Sequence, residues 1–597
     1  MQTQTSPLST GSSLPIALYS SQQVYNMERA WFAQGYSSFG LMQQAAWQMA
    51  QRVMRLYDQQ QQSKTFGQGM DIRRDNSQLR ASIWVGSGNN GGDGWLIAHY
   101  LQQAGWQVHV MTVGIDEIED ISVSENADSA SLSDSIQAQR MALAAGCSYQ
   151  RFEDNACDQN QTAQSEQEKQ DSHILQNKIT AKFPADVYID ALFGIGLDRA
   201  PAGIYKQAIT IFNYAAKQVK ALVIAVDIPS GLVASTGQVF DHVAIQADVT
   251  LCLVARKFGL HTKDGMDYAG EVFDIPLIPH VTTEVAATLL TTAYGLSTRR
   301  NNSYKGSYGH VLVIGGNRVN GSQGMGGAAI LAAASAMATG AGKITVACHD
   351  AFYGALLTSL PDAMTIDLHD IDGVTRLIKE ASIVAIGMGL GRDEKAQGLF
   401  TSYIQVAIAE GKPIVIDADG LYHLASLPED NPKLVTQLRE HSQNYQVCLT
   451  PHSGEAARLL NKKVTDVEAD RLAAIKQCAD IYGGNWVLKG AGSLVLEQVL
   501  EQEQIYVCAV GNAGMATAGM GDVLSGVTAG LLAQQDLEGG QRSLRQAVII
   551  HGLAGDTLVN QQSCDSNKNA QLFIGQRGLQ AQDMPVAIRH VMQVITN

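Results

Sequence analysis

A chain of 597 residues is too long for one hydrophobic core, which predicts two or more domains. With 45% apolar and 17% charged residues it has the composition of a globular protein, and its formal charge of −15, from 42 basic and 57 acidic side chains, argues against a general nucleic-acid binder. The eight cysteines include no C-x-x-C pair, which argues against a disulfide framework or zinc site, and the stretch MQTQTSPLSTGSSLPIALYS lacks the basic and apolar regions of a secretion signal, so a cytoplasmic protein is expected.

Residues 1 to about 15 read as a disordered tail. Residues 22–56 carry apolar positions at helical spacing and predict one or two amphipathic helices. A polar stretch at about 57–80 reads as a surface insertion. Short, β-branched apolar runs follow: ASIWVG (81–86), WQVHVMTV (106–113), DVYIDALFG (186–194), ALVIAVDIPSG (221–231) and DVTLCLVA (248–255). Near-continuous apolar runs of this length suit parallel strands buried on both faces, joined by crossover helices. Between them, residues 116–182 are rich in Asp, Ser, Gln, Asn and Glu and read as a second insertion, with a helix allowed around QAQRMALAAGC.

The pattern breaks at Pro276 and Pro279 and passes a short helical stretch. A second series then begins: HVLVIGG (310–316), KITVACH (343–349), SIVAIGMGLG (382–391), KPIVIDADGL (412–421) and NWVLKGAGS (485–493). It ends in a glycine-rich helix start, GNAGMATAGMGDVLSG (511–526). The uncharged stretch Val319–Gly342, mostly Gly, Ala, Ser and Thr, reads as a tightly packed internal helix rather than a membrane span. The expectation is α/β throughout, with one doubly wound sheet over 16–284, a second α/β domain over 285–597, and no internal repeat.

Three strand ends of the first half carry polar residues. GSGNNGGDGW (86–95) lets backbone approach a ligand closely and places helix-start N–H groups where anions bind. It is not the dinucleotide G-x-G-x-x-G, since Asn89 and Asn90 interrupt it. A tight turn needs one such residue, not two amides and Asp93. Asp190 and Asp227 with Ser230 end two further strands, and in a doubly wound sheet all three ends meet in one crevice. Asn90, Asp190 and Ser230 offer hard oxygens suited to a group-one or group-two cation.

NNGGDG, DALFGIGL and DIPSGL resemble the signature segments of the YjeF N-terminal domain family, over roughly residues 16–280. Its bacterial members epimerise hydrated NAD(P)H at C6 of the nicotinamide. By this resemblance Asn89, Asn90, Gly91, Gly92 and Asp93 line the ligand, and Asn90, Asp190 and Ser230 hold a potassium ion. Gly194, Ile195, Gly196, Leu197, Asp198, Arg199 and Ala200 wrap the pyrophosphate or ribose, and Asp227 faces the substrate as the acid/base. Lys257 in ARKFGL is a second candidate, equally readable as a surface lysine.

In the second half, NAGMATAGMGDVLSG crowds small residues at a helix start, so several N–H groups can face a phosphoryl group, and Asp522 is placed to take a proton from an attacking hydroxyl. The plainer reading is a close helix–helix contact. With KGAGS (489–493), TPHSGEAARLL (450–460), IGMGLGRD (386–393) and GMGGAAILAAASAMATGAG (324–342), the segment resembles the ribokinase-like NAD(P)H-hydrate dehydratase family over about 290–597. That resemblance implies a ribokinase-like α/β domain using ADP or ATP with Mg2+. Lys489, Gly490, Ala491, Gly492, Ser493 and Gly521 would bind the nucleotide, while Ala328, Gly389, His452 and Asp522 would contact the hydrate. Ser453 stands where the family usually has proline, Ser493 where it often has threonine, and Met520 interrupts the G-x-G-D element, which implies altered loop rigidity with every reactive group kept.

The expected protein is a bifunctional repair enzyme acting on NADHX and NADPHX, with no nucleic-acid or membrane partner; self-association is implied by family analogy alone. Two alternatives stand beside it: a ribokinase-like kinase of a vitamin-precursor alcohol, and a first domain that only binds ligand.

Overall fold

The computed structural model describes residues 15–65, 79–115, 133–153, 184–279, 284–318, 324–499, 502–559 and 574–596. The tail 1–14 and most of both predicted insertions lie outside these residues. The chain divides into two compact units, Ala17–Ala286 and Ala287–Asn597, with Ile16 grouped in the second. A short strand, β1 (Ile16–Leu18), lies at the division.

The first unit is a parallel sheet of β2 (Arg80–Val85), β3 (Gln107–Thr112), β4 (Ser148–Arg151), β5 (Val187–Ala191), β6 (Leu222–Val226), β7 (Val249–Leu253) and β8 (Glu271–Ile275), in the order β4-β3-β2-β5-β6-β7-β8. Successive side chains of a strand point to opposite faces, so the apolar runs must be covered twice. Ile83, Val85 and Ile189 pack under the helices Ser38–Thr65 and Asn89–Gln103, through Met49, Val53, Trp95 and Leu96. On the other face Trp84 and Tyr188 meet Ile209 and Phe212 of the helix Gly203–Val219. Because β2 pairs with both β3 and β5, the strand order reverses there, and a doubly wound sheet opens its ligand crevice at such a reversal.

Within 116–182 the helix allowed around QAQRMALAAGC is present as Asp134–Ala144. Two expectations need correction here: residues 57–65 are not insertion but the last turns of the helix Ser38–Thr65, and the second insertion also contains the edge strand β4. Edge strands can be short and polar, and β4 is only partly buried, so its sequence SYQR gives no apolar alternation to read.

The second unit contains β9 (Ala287–Leu290), β10 (His310–Ile314), β11 (Lys343–Cys348), β12 (Met364–Asp367), β13 (Ile383–Ile386), β14 (Ile414–Ile416), β15 (Val447–Leu449), β16 (Asn485–Leu488), β17 (Leu494–Val499) and β18 (Gln502–Cys508). Their order is β9-β18-β17-β16-β15-β14-β13-β10-β11-β12, parallel except where β17 runs against β16 and β18. The stretch after Pro279 therefore holds a strand, β9, in place of the expected helical segment. TLL pairs with YVC of β18, and this tertiary ladder outweighs the local helical propensity. This sheet reverses between β13 and β10.

The small residues of the glycine-rich helix serve two purposes. The helix Met520–Ala533 lies against the helix Gly326–Ala338 so closely that a Cβ on Gly526 would sit 2.2 Å from the Ala332 carbonyl oxygen, and one on Gly530 2.7 Å from that of Ala336. The plain packing reading thus holds for its later turns, while its first turn faces the ends of the strands.

Candidate active sites

In the first unit, β2 ends in a turn whose packing admits no side chain. A Cβ on Gly86 would lie 2.2 Å from the Leu192 carbonyl oxygen, and one on Gly91 1.9 Å from that of Gly86. This seats the helix Asn89–Gln103 against the end of β5. Asn89 is exposed, whereas Asn90, Gly91, Gly92 and Asp93 are buried. Asn90 Nδ2 donates to the Phe193 carbonyl at 2.8 Å. Asp190, 0% exposed, accepts at Oδ1 from Ser230 Oγ (2.7 Å) and the Leu192 N–H (3.1 Å), and at Oδ2 from the Ser230 N–H (2.7 Å). Ser230 Oγ in turn accepts from the Phe193 N–H at 2.8 Å. Asn90, Asp190 and Ser230 are therefore drawn into one knot around Phe193. Burial raises the Asp190 carboxyl to about 6, against the lowering pull of its hydrogen bonds.

Asp227 follows β6 with φ +66°, a left-handed conformation rare outside glycine. Its Oδ1 accepts from the Leu253 N–H at 3.0 Å and from Lys257 Nζ. Lys257 is not a surface lysine: it is 0% exposed, and its ammonium also donates to the Leu253 carbonyl at 2.6 Å. Burial works against that charge, but Asp227, Cys252 and Glu28 more than offset it and hold the lysine above its usual range. Asp93 is pushed well up, first by burial and then by Asp227 and Glu28, and its Oδ1 has no hydrogen-bond partner. Ile195 and Leu197 are half-buried, while Gly196, Asp198, Arg199 and Ala200 are exposed and stand outside the Asp190 knot.

In the second unit the site gathers around Asp417, which follows β14. Asp417 Oδ1 accepts from Lys489 Nζ at 2.9 Å and its Oδ2 from Ser525 Oγ at 2.6 Å. Lys489 follows β16 and is placed by its N–H to the Pro451 carbonyl (2.9 Å), which sets it beside His452. A Cβ on Gly521 would stand 3.0 Å from Lys489 Nζ, so glycine there leaves the ammonium its place. Asp522, in the first turn of the same helix, has its carboxyl raised to about 7, first by burial and then by Asp417, with Asp419 and Glu455 adding and Lys489 opposing. Glu455 is likewise raised to about 7, chiefly by burial.

His452 caps the helix Ser453–Leu459 through Nδ1, which accepts from the Gly454 N–H at 2.9 Å, and leaves 60% of its side chain exposed. The loop Gly490–Ser493 is folded on itself by Ser493 Oγ donating to the Gly490 carbonyl (3.0 Å). It is held from beneath by the buried Arg471, whose guanidinium donates to the carbonyls of Leu488 (3.0 Å) and Ala491 (2.8 Å). Ala328 and Gly389 meet at the sheet reversal, where a Cβ on Gly389 would lie 3.3 Å from that of Ala328. Ser453, at the family's proline position, donates through Oγ to Glu468.

Sequence reasoning missed Asp417, Glu455, Asp419 and Arg471. For Asp417 the signal existed: KPIVIDADGL repeats the aspartate-after-buried-strand pattern of Asp227. Glu28, on the helix Ser21–Ala33, had no local signal at all.

Two mostly parallel sheets, each with a carboxylate–lysine pair at its strand ends, define a two-domain α/β protein whose polar strand ends lie where sheets of this kind bind their ligands. Residues 38–259 match the family described as YjeF-related protein N-terminus, and residues 311–574 the family described as NAD(P)H-hydrate dehydratase. The chain is 31% identical over 575 residues to the bifunctional NAD(P)H-hydrate repair enzyme Nnr of Coxiella burnetii, covering 95% of this chain and 97% of that one. With the enzyme of the same name from Escherichia coli it shares 31% identity over 482 residues, 80% of each chain. It also resembles a solved ADP/ATP-dependent NAD(P)H-hydrate dehydratase from Bacillus subtilis, at 22% identity, TM-score 0.38, covering 50% of this chain and 95% of that one. The chain belongs to the bifunctional NAD(P)H-hydrate repair enzyme family. Among the described residues no helix is long and apolar enough to cross a membrane.

Proposed function

We propose that the chain repairs hydrated NADH and NADPH in two steps. The unit Ala17–Ala286 interconverts the R and S epimers of NADHX and NADPHX, and the unit Ala287–Asn597 dehydrates the S epimer with ADP or ATP. What carries this reading is the coincidence, in both family-matched stretches, of a strand-end site with a carboxylate able to move a proton: Asp227 in one, Asp522 in the other.

In the first site Asp227 serves as the acid/base at the hydroxyl-bearing C6. Asn89 to Asp93 and Gly194 to Ala200 enclose the dinucleotide. Asn90, Asp190 and Ser230 fit a potassium ion, because Asp190 is a wholly buried carboxylate whose hydrogen-bond donors are neutral, and hard oxygens suit a group-one cation. When bound, the ion would supply positive charge to the knot that orders this loop.

In the second site the ionised Asp522 takes the proton of the C6 hydroxyl as its oxygen attacks the terminal phosphorus of the nucleotide. The phosphorus–oxygen bond to the nucleotide breaks, releasing AMP from ADP or ADP from ATP. The C6–O bond then breaks, inorganic phosphate leaves, and loss of a C5 proton restores the reduced ring. Lys489 to Ser493 and Gly521 hold the nucleotide, and Ala328, Gly389 and His452 hold the hydrate. Glu455, 3.7 Å from Lys489 Nζ, fits a Mg2+ ion carried on the phosphates, since Mg2+ keeps phosphate and water ligands and takes one or two carboxylates, and this leaves Asp522 free as the base. We also place the chain in the cytoplasm, where its six described cysteines, all free and buried, would stay reduced.

The test is recovery of reduced-nicotinamide absorbance from a mixture of both hydrate epimers with Mg2+, K+ and ADP or ATP. Full recovery, faster than spontaneous epimerisation allows, is expected. Recovery of only the S share would remove the epimerase assignment, and none with either nucleotide would remove the dehydratase assignment.

A further inference from the structure

The buried Lys257 has no part in the mechanism above, yet the backbone around it is organised to place it. Val254 takes φ +62°, costly for a β-branched residue, and turns the chain back after β7 so that Lys257 returns to the carboxylate at the end of β6. Tyr19 brackets the segment: its N–H donates to the Arg256 carbonyl and its carbonyl accepts from the Phe258 N–H, both at 2.9 Å. Lys257 Nζ then donates to Asp227 Oδ1 and the Leu253 carbonyl, while the Leu253 N–H donates to the same Asp227 oxygen. Asp227 Oδ1 is thus held by two donors, which leaves Oδ2 for other partners. A lysine of 0% exposure, reached through strained backbone, is a poor means of stabilisation, because a buried ion pair gains little over apolar packing.

We propose that Lys257 is the positioning residue of epimerisation: it fixes Asp227 in one rotamer and keeps its Oδ2 directed at the substrate's C6 hydroxyl. This deepens the epimerase reading and rests on it.

The experiment is a double-mutant cycle in the full chain, with Lys257→Met, Asp227→Asn and the double variant, read as the rate of R-to-S conversion, with dehydration of pure S epimer as the internal control. Lys257→Met is expected to lower kcat for epimerisation about 100-fold with KM within about threefold, while in the Asp227→Asn background it costs under about threefold more. Lys257→Arg should recover about tenfold over Lys257→Met. A Lys257→Met rate within threefold of the parent, an equal loss in both backgrounds, or no gain from arginine would each overturn the proposal. If Lys257→Met does not fold, Lys257→Arg against Lys257→Gln carries the same comparison. A parent chain that does not epimerise at all sinks the epimerase reading itself, which separates the two failures.

Discussion

The substitution Asp522→Asn separates catalysis from stability at the second site, because the two should move in opposite directions. The Asp522 carboxyl stands at about 7 in the folded chain against 3.8 for an ordinary aspartate, through burial and the charges of Asp417, Asp419 and Glu455. A folded-state value raised in this way means that no stability is lost below pH 3.8, and that stability falls as pH rises toward about 7. At about 1.4 kcal/mol per pH unit, Asp522 costs about 4 kcal/mol at pH 8, where the folded chain holds it ionised, and about 2 kcal/mol at pH 5, where folding keeps protonated a group that ionises in the unfolded chain; both are upper bounds because water entry and relaxation reduce them. Asparagine has nearly the same shape and never ionises. The variant should therefore be more stable than the parent at pH 8 and show a smaller excess at pH 5, while dehydration falls about 100-fold or more. Urea unfolding at both pH values measures this, using the transition that ADP shifts to identify the second unit. An excess equal at both pH values, or dehydration within about threefold of the parent, would refute the reasoning.

Three further outcomes follow from the same geometry. Dehydration kcat/KM should rise with pH through about 7 as Asp522 ionises, with an apparent midpoint shared with Glu455, which titrates in the same range; a profile flat from pH 6 to 8 would contradict it. Ser230→Ala removes a hydroxyl that both donates to Asp190 and accepts from Phe193, so the first unit should lose about 1–3 kcal/mol in urea unfolding and epimerisation should lose any K+ dependence, while dehydration of S epimer stays as it was. Gly521→Ala places a methyl 3.0 Å from Lys489 Nζ and 3.5 Å from Asp417 Oδ2, and should raise the nucleotide KM about tenfold, measured by steady-state titration of ADP.

How far the sequence could be read followed burial. Runs such as IWV, VYIDA and LVIAV sit in central strands covered on both faces, and their apolar continuity is visible without a structure. Most strands that escaped notice, β4, β8, β9, β12, β17 and β18, lie toward sheet edges or carry polar faces, where only the neighbouring strand fixes the conformation; β15, central and wholly buried, escaped because a three-residue run carries no readable pattern. The residues picked for the sites were those with a local mark, a glycine turn or an aspartate after a strand. Lys257 was a candidate from the sequence, but its burial against Asp227, 30 residues away, was not readable; Arg471, Glu455 and Glu28 likewise matter through partners 17 or more residues away, and no window of sequence contains that information.

The two sites share an arrangement without sharing a motif. In each, an aspartate follows a buried parallel strand, Asp227 after β6 and Asp417 after β14, and a lysine from beyond another strand closes on it, the buried Lys257 after β7 and the half-buried Lys489 after β16. Parallel strands put all their carboxyl ends on one edge, so such pairing is available wherever two of those ends carry opposite charge. The chemistry differs in which carboxylate reacts. In the first unit the lysine-held aspartate is itself the proposed acid/base. In the second, the pair stands behind Asp522, whose carboxyl lies in the field of Asp417, Asp419 and Glu455 and is raised toward neutrality. A base near neutral pH suits removal of a proton from a hydroxyl. Neutralising Asp417, the largest of those charges, should therefore lower the pH at which dehydration turns on, whereas removing Lys489 should raise it. A shift in the same direction for both substitutions would show that the pair acts on nucleotide binding alone.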